Sequence, residues 1–221
     1  MDHVHPVPAP DDMRACEPAC EAMVVLLHPY GAEAAALALM RGWEPAMPTA
    51  ALSALPVAGS AGTGQAWDAI LHGLERSGHS LSRLVLAGVA GAQDAALQLA
   101  FSQAAVGCAG VLALGDGLPP LTVLGGQPAE GRPRLRLVWT ADDPMFCAAA
   151  LGDLLRCLRA AGLDAQGAVL ARADPAALEK GVSAPPPALL RQGGAYLAEL
   201  VAVAMGRASR TGAVPYAAEP A

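Results

Sequence analysis

Apolar and polar positions along the chain fall into short blocks that predict alternating strands and helices. Residues 22–28 (AMVVLLH) are a continuous apolar run of strand length, ending in His28-Pro29-Tyr30-Gly31, a loop signal. Residues 32–41 read as a short Ala/Leu helix closed by Gly42, and residues 50–56 as a weak second strand. A Gly/Ser loop, AGSAGTG, leads to residues 67–76, where Trp67, Ile70, Leu71 and Leu74 have helical spacing. The run Leu84-Val85-Leu86-Ala87 has the length and residue type of a strand buried on both faces. A tight small-residue turn follows, Gly88-Val89-Ala90-Gly91-Ala92, and then a helical pattern containing Leu97, Leu99 and Phe101. Further strands are predicted over 108–114, 135–139 and 168–171, with a Gly/Pro-rich loop at 115–132 between the first two. Residues 145–161 form the clearest amphipathic helix, setting Leu151, Leu154, Leu155 and Leu158 against Asp153, Arg156 and Arg159, with Gly162 placed to cap its end. A closing helix is predicted over 188–206.

Six strands alternating with helices predict the α/β class, a mostly parallel sheet with helices on both faces. One domain is expected over residues 22–207, between a Pro-rich amino-terminal tail (1–21) and a carboxy-terminal tail (208–221). No repeat with a period of roughly 20–50 residues is visible, which sets solenoids aside.

Composition narrows the function classes. Hydrophobic residues make up 54% of the chain and charged ones 15%, the balance of a globular protein. The net charge of −6, with 14 dispersed basic residues, argues against nucleic acid as a partner. No apolar run approaches the roughly 20 residues of a membrane span, and the start MDHVHPVPAPDD has neither a basic n-region nor an apolar signal core. The expectation is a cytoplasmic protein. Of the five cysteines none forms a C-x-x-C pair. Cys147 and Cys157, on one predicted helix, would lie roughly 15 Å apart, too far for a disulfide. Cys16 and Cys20 could meet on a helical turn, yet a metal would lack its other ligands. Free thiols, no metal site and no cofactor are expected.

Strand, tight small-residue turn and helix is also the geometry of a nucleophile elbow. From about residue 24 to 203 the chain resembles the carboxylesterase/phospholipase branch of the α/β-hydrolases, the group that includes acyl-protein thioesterases. LLHPYGA at 26–32 is similar to that family's oxyanion loop, LLHGYGA, and GQAW at 64–67 to its Arg-Gln-Trp stretch. RLVLAGVAGAQ at 83–93 resembles RIVLGGFSQGG, and AGVLALGDGLP at 109–119 resembles AGVVALSGYLP. LVWTADDPMF at 137–146 resembles LVHGEEDPVV, and LLRQGGAYL at 189–197 the family's terminal helix. The resemblance implies an α/β-hydrolase-like sheet with its active site on loops at the carboxyl ends of the strands.

Carried over residue by residue, the resemblance implies a disabled triad. The family's serine falls on Ala90, while its acid falls on Asp143 and is retained. Its histidine belongs after the last strand, near Asp174-Pro175, but the five histidines are His3, His5, His28, His72 and His79. Pro29 replaces the glycine after the oxyanion-loop histidine and has no N–H to donate. The N–H of Gly91, just after the nucleophile position, is the remaining half of an oxyanion hole, where an anion or carbonyl could rest.

Plainer roles fit several of these residues. Asp143 before Pro144 is also what an N-cap with proline at the first helical position looks like. His28 is either a loop residue or a stray base near Ala90. His72 and His79 flank a surface helix and are read as solvated, Ser102 sits at the far end of the elbow helix, and Cys147 has no visible basic partner. The expected function is that of a catalytically inactive pseudo-hydrolase, binding a small apolar or acyl ligand or a protein through the former cleft, with His28, Tyr30 and Gly91 as binding residues. A homodimer is the expected assembly where there is one. Two alternatives stand beside it: an active serine-esterase-type hydrolase with displaced catalytic groups, and a nucleotide-binding α/β protein. For the latter, Ala90 and Gln93 break the G-x-G-x-x-G fingerprint, and Asp116 would be the ribose ligand.

Overall fold

The computed structural model describes residues 21–58, 62–89, 91–102, 107–115, 132–140, 147–170 and 185–206. In chain order these form β1 (Ala22–Pro29), α1 (Glu33–Trp43), β2 (Ala50–Val57), α2 (Thr63–Ser77), β3 (Leu84–Val89), α3 (Gln93–Ala100), β4 (Gly110–Leu114), β5 (Arg134–Thr140), α4 (Ala148–Ala160), β6 (Ala165–Leu170) and α5 (Pro187–Ala204). The strands make one six-stranded sheet in the order β2-β1-β3-β4-β5-β6, and every pairing is parallel. Residues 84–87 are thus part of a central parallel strand, as expected. Ala90 and Asp143 lie outside the described residues, as do Cys16, Cys20 and Asp116.

Alternation along each strand divides the core in two. Met23, Val25 and Leu27 of β1, with Leu84 and Leu86 of β3, pack with residues of α2, α3 and α4. Val24, Leu26, Val85, Ala87 and Val89 pack on the other face with residues of α1 and α5. Both faces are covered, so the strands read as continuous apolar runs and not as alternating ones. This arrangement follows from right-handed crossovers. The chain moves outward from β1 to β2 through α1, and then returns to β3 and runs the other way through α2 and α3. Reversing direction puts the helices on the opposite face.

One buried charge cluster ties the closing helix to the sheet. Arg136 of β5 is 0% exposed. Its Nε donates to Glu199 Oε2 of α5 at 3.0 Å and its Nη2 to Glu199 Oε1 at 2.5 Å. Nη1 donates to the Leu135 carbonyl at 2.9 Å and to both the carbonyl and Oδ1 of Asp164 at 3.1 Å. Arg134 adds a contact to Asp164 Oδ2 at 3.2 Å. Burial pulls the Arg136 guanidinium pKa down, but the Glu199 hydrogen bonds and the Asp164 charge more than offset it, and the net shift is upward.

Several predicted boundaries move. Gly42 does not close α1, which continues to Trp43. A Cβ at Gly42 would lie 2.5 Å from Leu190 Cδ2, so this glycine is where α1 closes on α5. The helix predicted from 145 begins at Ala148 with Cys147 as its N-cap residue, so Asp143 is not the cap of α4. Gly162 takes a φ of +82° and donates its N–H to the Arg159 carbonyl, as a helix-closing residue does. His72 is exposed beside Glu75, whereas His79 is half-buried, with Nδ1 2.9 Å from the Ser77 carbonyl oxygen. The turn at Gly78 folds His79 back onto α2, where its N–H bonds the Leu74 carbonyl.

Cys108, Cys147 and Cys157 are all free thiols. Burial raises the Cys108 thiol to about 12, against a smaller lowering by the Gly110 backbone. Iodoacetamide at pH 8 should therefore label Cys147 and Cys157, both exposed, and spare Cys108 until the chain unfolds. Peptide mapping checks this, and rapid Cys108 labelling in the native state would refute it. Its folded pKa exceeds the unfolded value near 9, so its contribution to stability is whole below pH 9 and is lost as pH rises toward 12.

Candidate functional site

Strand order locates the site before any motif does. In an open parallel sheet, ligands bind in the crevice outside the carboxyl ends of the strands, where the winding reverses. Here it reverses between β1 and β3, whose last shared pair is Leu27 with Gly88. The described residues this rule places at the crevice are His28-Pro29-Tyr30-Gly31 from β1, and Val89, Gly91, Ala92 and Gln93 from β3. Asp143 follows β5 by three residues in the chain, and residues 171–184 follow β6.

His28 is the last strand residue but one and is only 2% exposed. Its Nδ1 lies 3.0 Å from the Pro29 carbonyl oxygen. A carbonyl can only accept, so Nδ1 is the donor in this contact. Among the described residues no carboxylate is hydrogen-bonded to this ring, unlike the histidine of a triad. Tyr30 is 44% exposed at the turn. The turn is closed by the Ala32 N–H on the Pro29 carbonyl at 3.1 Å and by the Gly31 N–H on Glu33 Oε1 at 3.1 Å. The backbone N–H groups of Glu33 and Gly31 hold the Glu33 carboxyl below its ordinary range, with a smaller pull from His28.

The opposite wall has the build of an elbow. A Cβ at Gly88 would lie 2.6 Å from Gln93 Cα, 2.7 Å from the Ala92 oxygen and 2.8 Å from Ala96 Cβ. Only glycine lets α3 close so tightly on β3. Gly91 takes a φ of +97°. The Ala92 N–H returns to the Val89 carbonyl at 3.0 Å, and the helix starts at Gln93. The Gly91 N–H donates to Gln93 Oε1 at 2.6 Å. In the sequence Gln93 stood out only for breaking a glycine fingerprint, and nothing there signals its role as an acceptor. Ser102 is at the far end of α3, its Oγ donating to the Leu99 carbonyl at 2.8 Å. No group of three or more metal-ligating side chains occurs among the described residues, and no helix among them is long and apolar enough to cross a membrane.

No protein-family model and no curated protein sequence matches the chain. Solved structures do. Esterase PE8 superposes with a TM-score of 0.58 at 18% identity, covering 82% of this chain and 94% of that one. A carboxylesterase of Bacillus cereus gives 0.55 at 13% identity, covering 81% and 88%. A thermophilic esterase of the planctomycete Thermogutta terrifontis, with butyrate bound, gives 0.54 at 10% identity, covering 90% and 89%. At these identities the likeness is one of fold. The parallel sheet, its switch point and the elbow at Gly88 agree with it: the chain has the carboxylesterase-like α/β-hydrolase fold.

Proposed function

We propose that this chain is a pseudo-hydrolase, a non-catalytic protein that binds a small apolar or acyl ligand, or a protein segment, in the crevice between the β1 and β3 ends. The observation that carries this reading is the absence of both reacting groups where the fold needs them. Ala90 follows β3, and the stretch between β6 and α5 contains no histidine. Acyl transfer needs an attacking atom with a base in hydrogen-bond reach, and alanine offers none. Pro29 has no N–H, and the Gly91 N–H is already bonded to Gln93. Free Cys108, Cys147 and Cys157 support a reducing, cytoplasmic setting.

Ester turnover tests the reading. The wild-type chain should hydrolyse p-nitrophenyl acetate and butyrate no faster than a heat-treated control, and a fluorophosphonate should label no serine. Ala90→Ser alone should stay inactive for want of a base, keeping at most the residual catalysis of binding and oxyanion stabilisation, roughly 10³–10⁴ over water in the best sites. Ala90→Ser with a histidine substituted between Ala173 and Ala176 should exceed the sum of the single variants, because triad members act as a unit. Robust turnover by Ala90→Ser alone would identify His28 as a base already facing position 90 and overturn the reading.

A further inference from the structure

Among the described residues two large apolar side chains are exposed, and both belong to one short stretch. Tyr30, at the turn before α1, is 44% exposed, and Leu37, within the helix, 46%. The inner face of α1 is Ala36, Leu39 and Trp43, packed with residues of the sheet and of α5. At about 100° per residue, Leu37 shares the outer face with Ala34 and Arg41, and Glu33 borders it. All four are exposed. A lone exposed leucine needs no partner. The charges around this one set it apart. Glu33 stands four residues before it and Arg41 four residues after, along one row of the helix surface. Glu33 Oε1 accepts the Gly31 N–H at 3.1 Å, which fixes the carboxylate without neutralising it. Arg41 makes no ion pair among the described residues.

We infer that the outer face of α1 is a self-association surface, on which a second copy of the chain packs its own α1 antiparallel about a two-fold axis at Leu37. Positions equally far before and after Leu37 then face each other. Leu37 meets the partner's Leu37, Glu33 meets the partner's Arg41, and Arg41 meets the partner's Glu33. Each charge lies about 6 Å along the helix from the axis, within reach of these long side chains. Farther out, exposed Tyr30 comes opposite the partner's Glu44, also exposed, a phenol hydroxyl against a carboxylate. Every contact occurs twice, as an isologous interface requires. A parallel pairing would instead set Glu33 against Glu33 and Arg41 against Arg41, like charges that cost affinity. An 11-residue helix is roughly 16 Å long, so the contact falls short of the about 1,600 Å² of a standard interface. The dimer therefore exchanges with monomer and depends on concentration. The pairing does not depend on what the crevice binds.

Sedimentation velocity from about 1 μM to 1 mM tests the inference, with circular dichroism to show that each variant is folded. The wild type should pass from monomer to dimer across this range. Leu37→Glu, which sets two carboxylates on the axis, should weaken association by about tenfold or more. Glu33→Arg and Arg41→Glu should each do the same, since symmetry turns one substitution into two like-charge pairs. Mixed in equal amounts, these two single variants should form a heterodimer about as tight as the wild-type dimer, because arginines of one then face glutamates of the other at both pairs. Association in the mixture that neither variant shows alone is a result that no loss of folding produces. A wild type still monomeric at about 1 mM, a Leu37→Glu chain that dimerises like the wild type, or a mixture that associates no more than its components would each overturn the inference.

Discussion

Glu199→Leu should destabilise the protein by about 3 kcal/mol, the lower end of the cost of breaking a buried ion pair, because Asp164 still holds Nη1 of Arg136. The loss comes from Arg136 and not from Glu199 itself. The guanidinium is wholly buried, and its Nε and Nη2 bond only to the two Glu199 oxygens among the bonds described above. An arginine cannot shed its charge to escape such a site. Adding Arg136→Met to Glu199→Leu removes the stranded charge, and the double variant should recover most of the single variant's loss. Urea unfolding of the wild type, both single variants and the double closes the cycle, with a shifted midpoint at unchanged slope as the signature. A Glu199→Leu loss under about 1 kcal/mol would mean that water reaches the guanidinium, which is what exposed pairs show.

The second large effect is at the elbow. Gly88→Ala should cost about 3 kcal/mol or more, at or beyond the upper range for overpacking, because the new methyl meets groups that cannot swing away. Gln93 Cα, the Ala92 oxygen and Ala96 Cβ all belong to the α3 turn itself, at 2.6, 2.7 and 2.8 Å. The helix must back away from β3 as a body. Gly152→Ala in α4 is the contrasting control: a Cβ there meets nothing within 4 Å, so the change should stabilise by roughly 0.5–1 kcal/mol through helix propensity alone. Opposite signs from the same chemical change would locate the effect in packing. A neutral Gly88→Ala would remove the argument for a tight elbow.

The parallel sheet was legible because strands covered on both faces are uniformly apolar, and the runs at 22–28 and 84–87 stand out for that reason. Gly42 misled because glycine usually ends a helix, whereas here contact with Leu190, far along the chain, carries α1 through it to Trp43. The partnership of Arg136 and Glu199 spans 63 positions and depends on how α5 docks, which no local pattern encodes. At the crevice, His28 at the end of β1 was legible from strand length alone. The bond between Gln93 and Gly91 was not, because residue type does not say which way a carboxamide turns.

The clamp at Arg136 lies near the beginning of β5, while the positions that would carry chemistry come after the strands in the chain. Selection for a folded chain and selection for reactivity therefore act on different residues. A lineage with this layout can lose a nucleophile or a base by single substitutions that leave the clamp untouched, and it can regain them the same way. Change at positions 90 and 143, unlike change at Gly88, then leaves the clamp intact, so the same inherited scaffold passes readily between turnover and recognition.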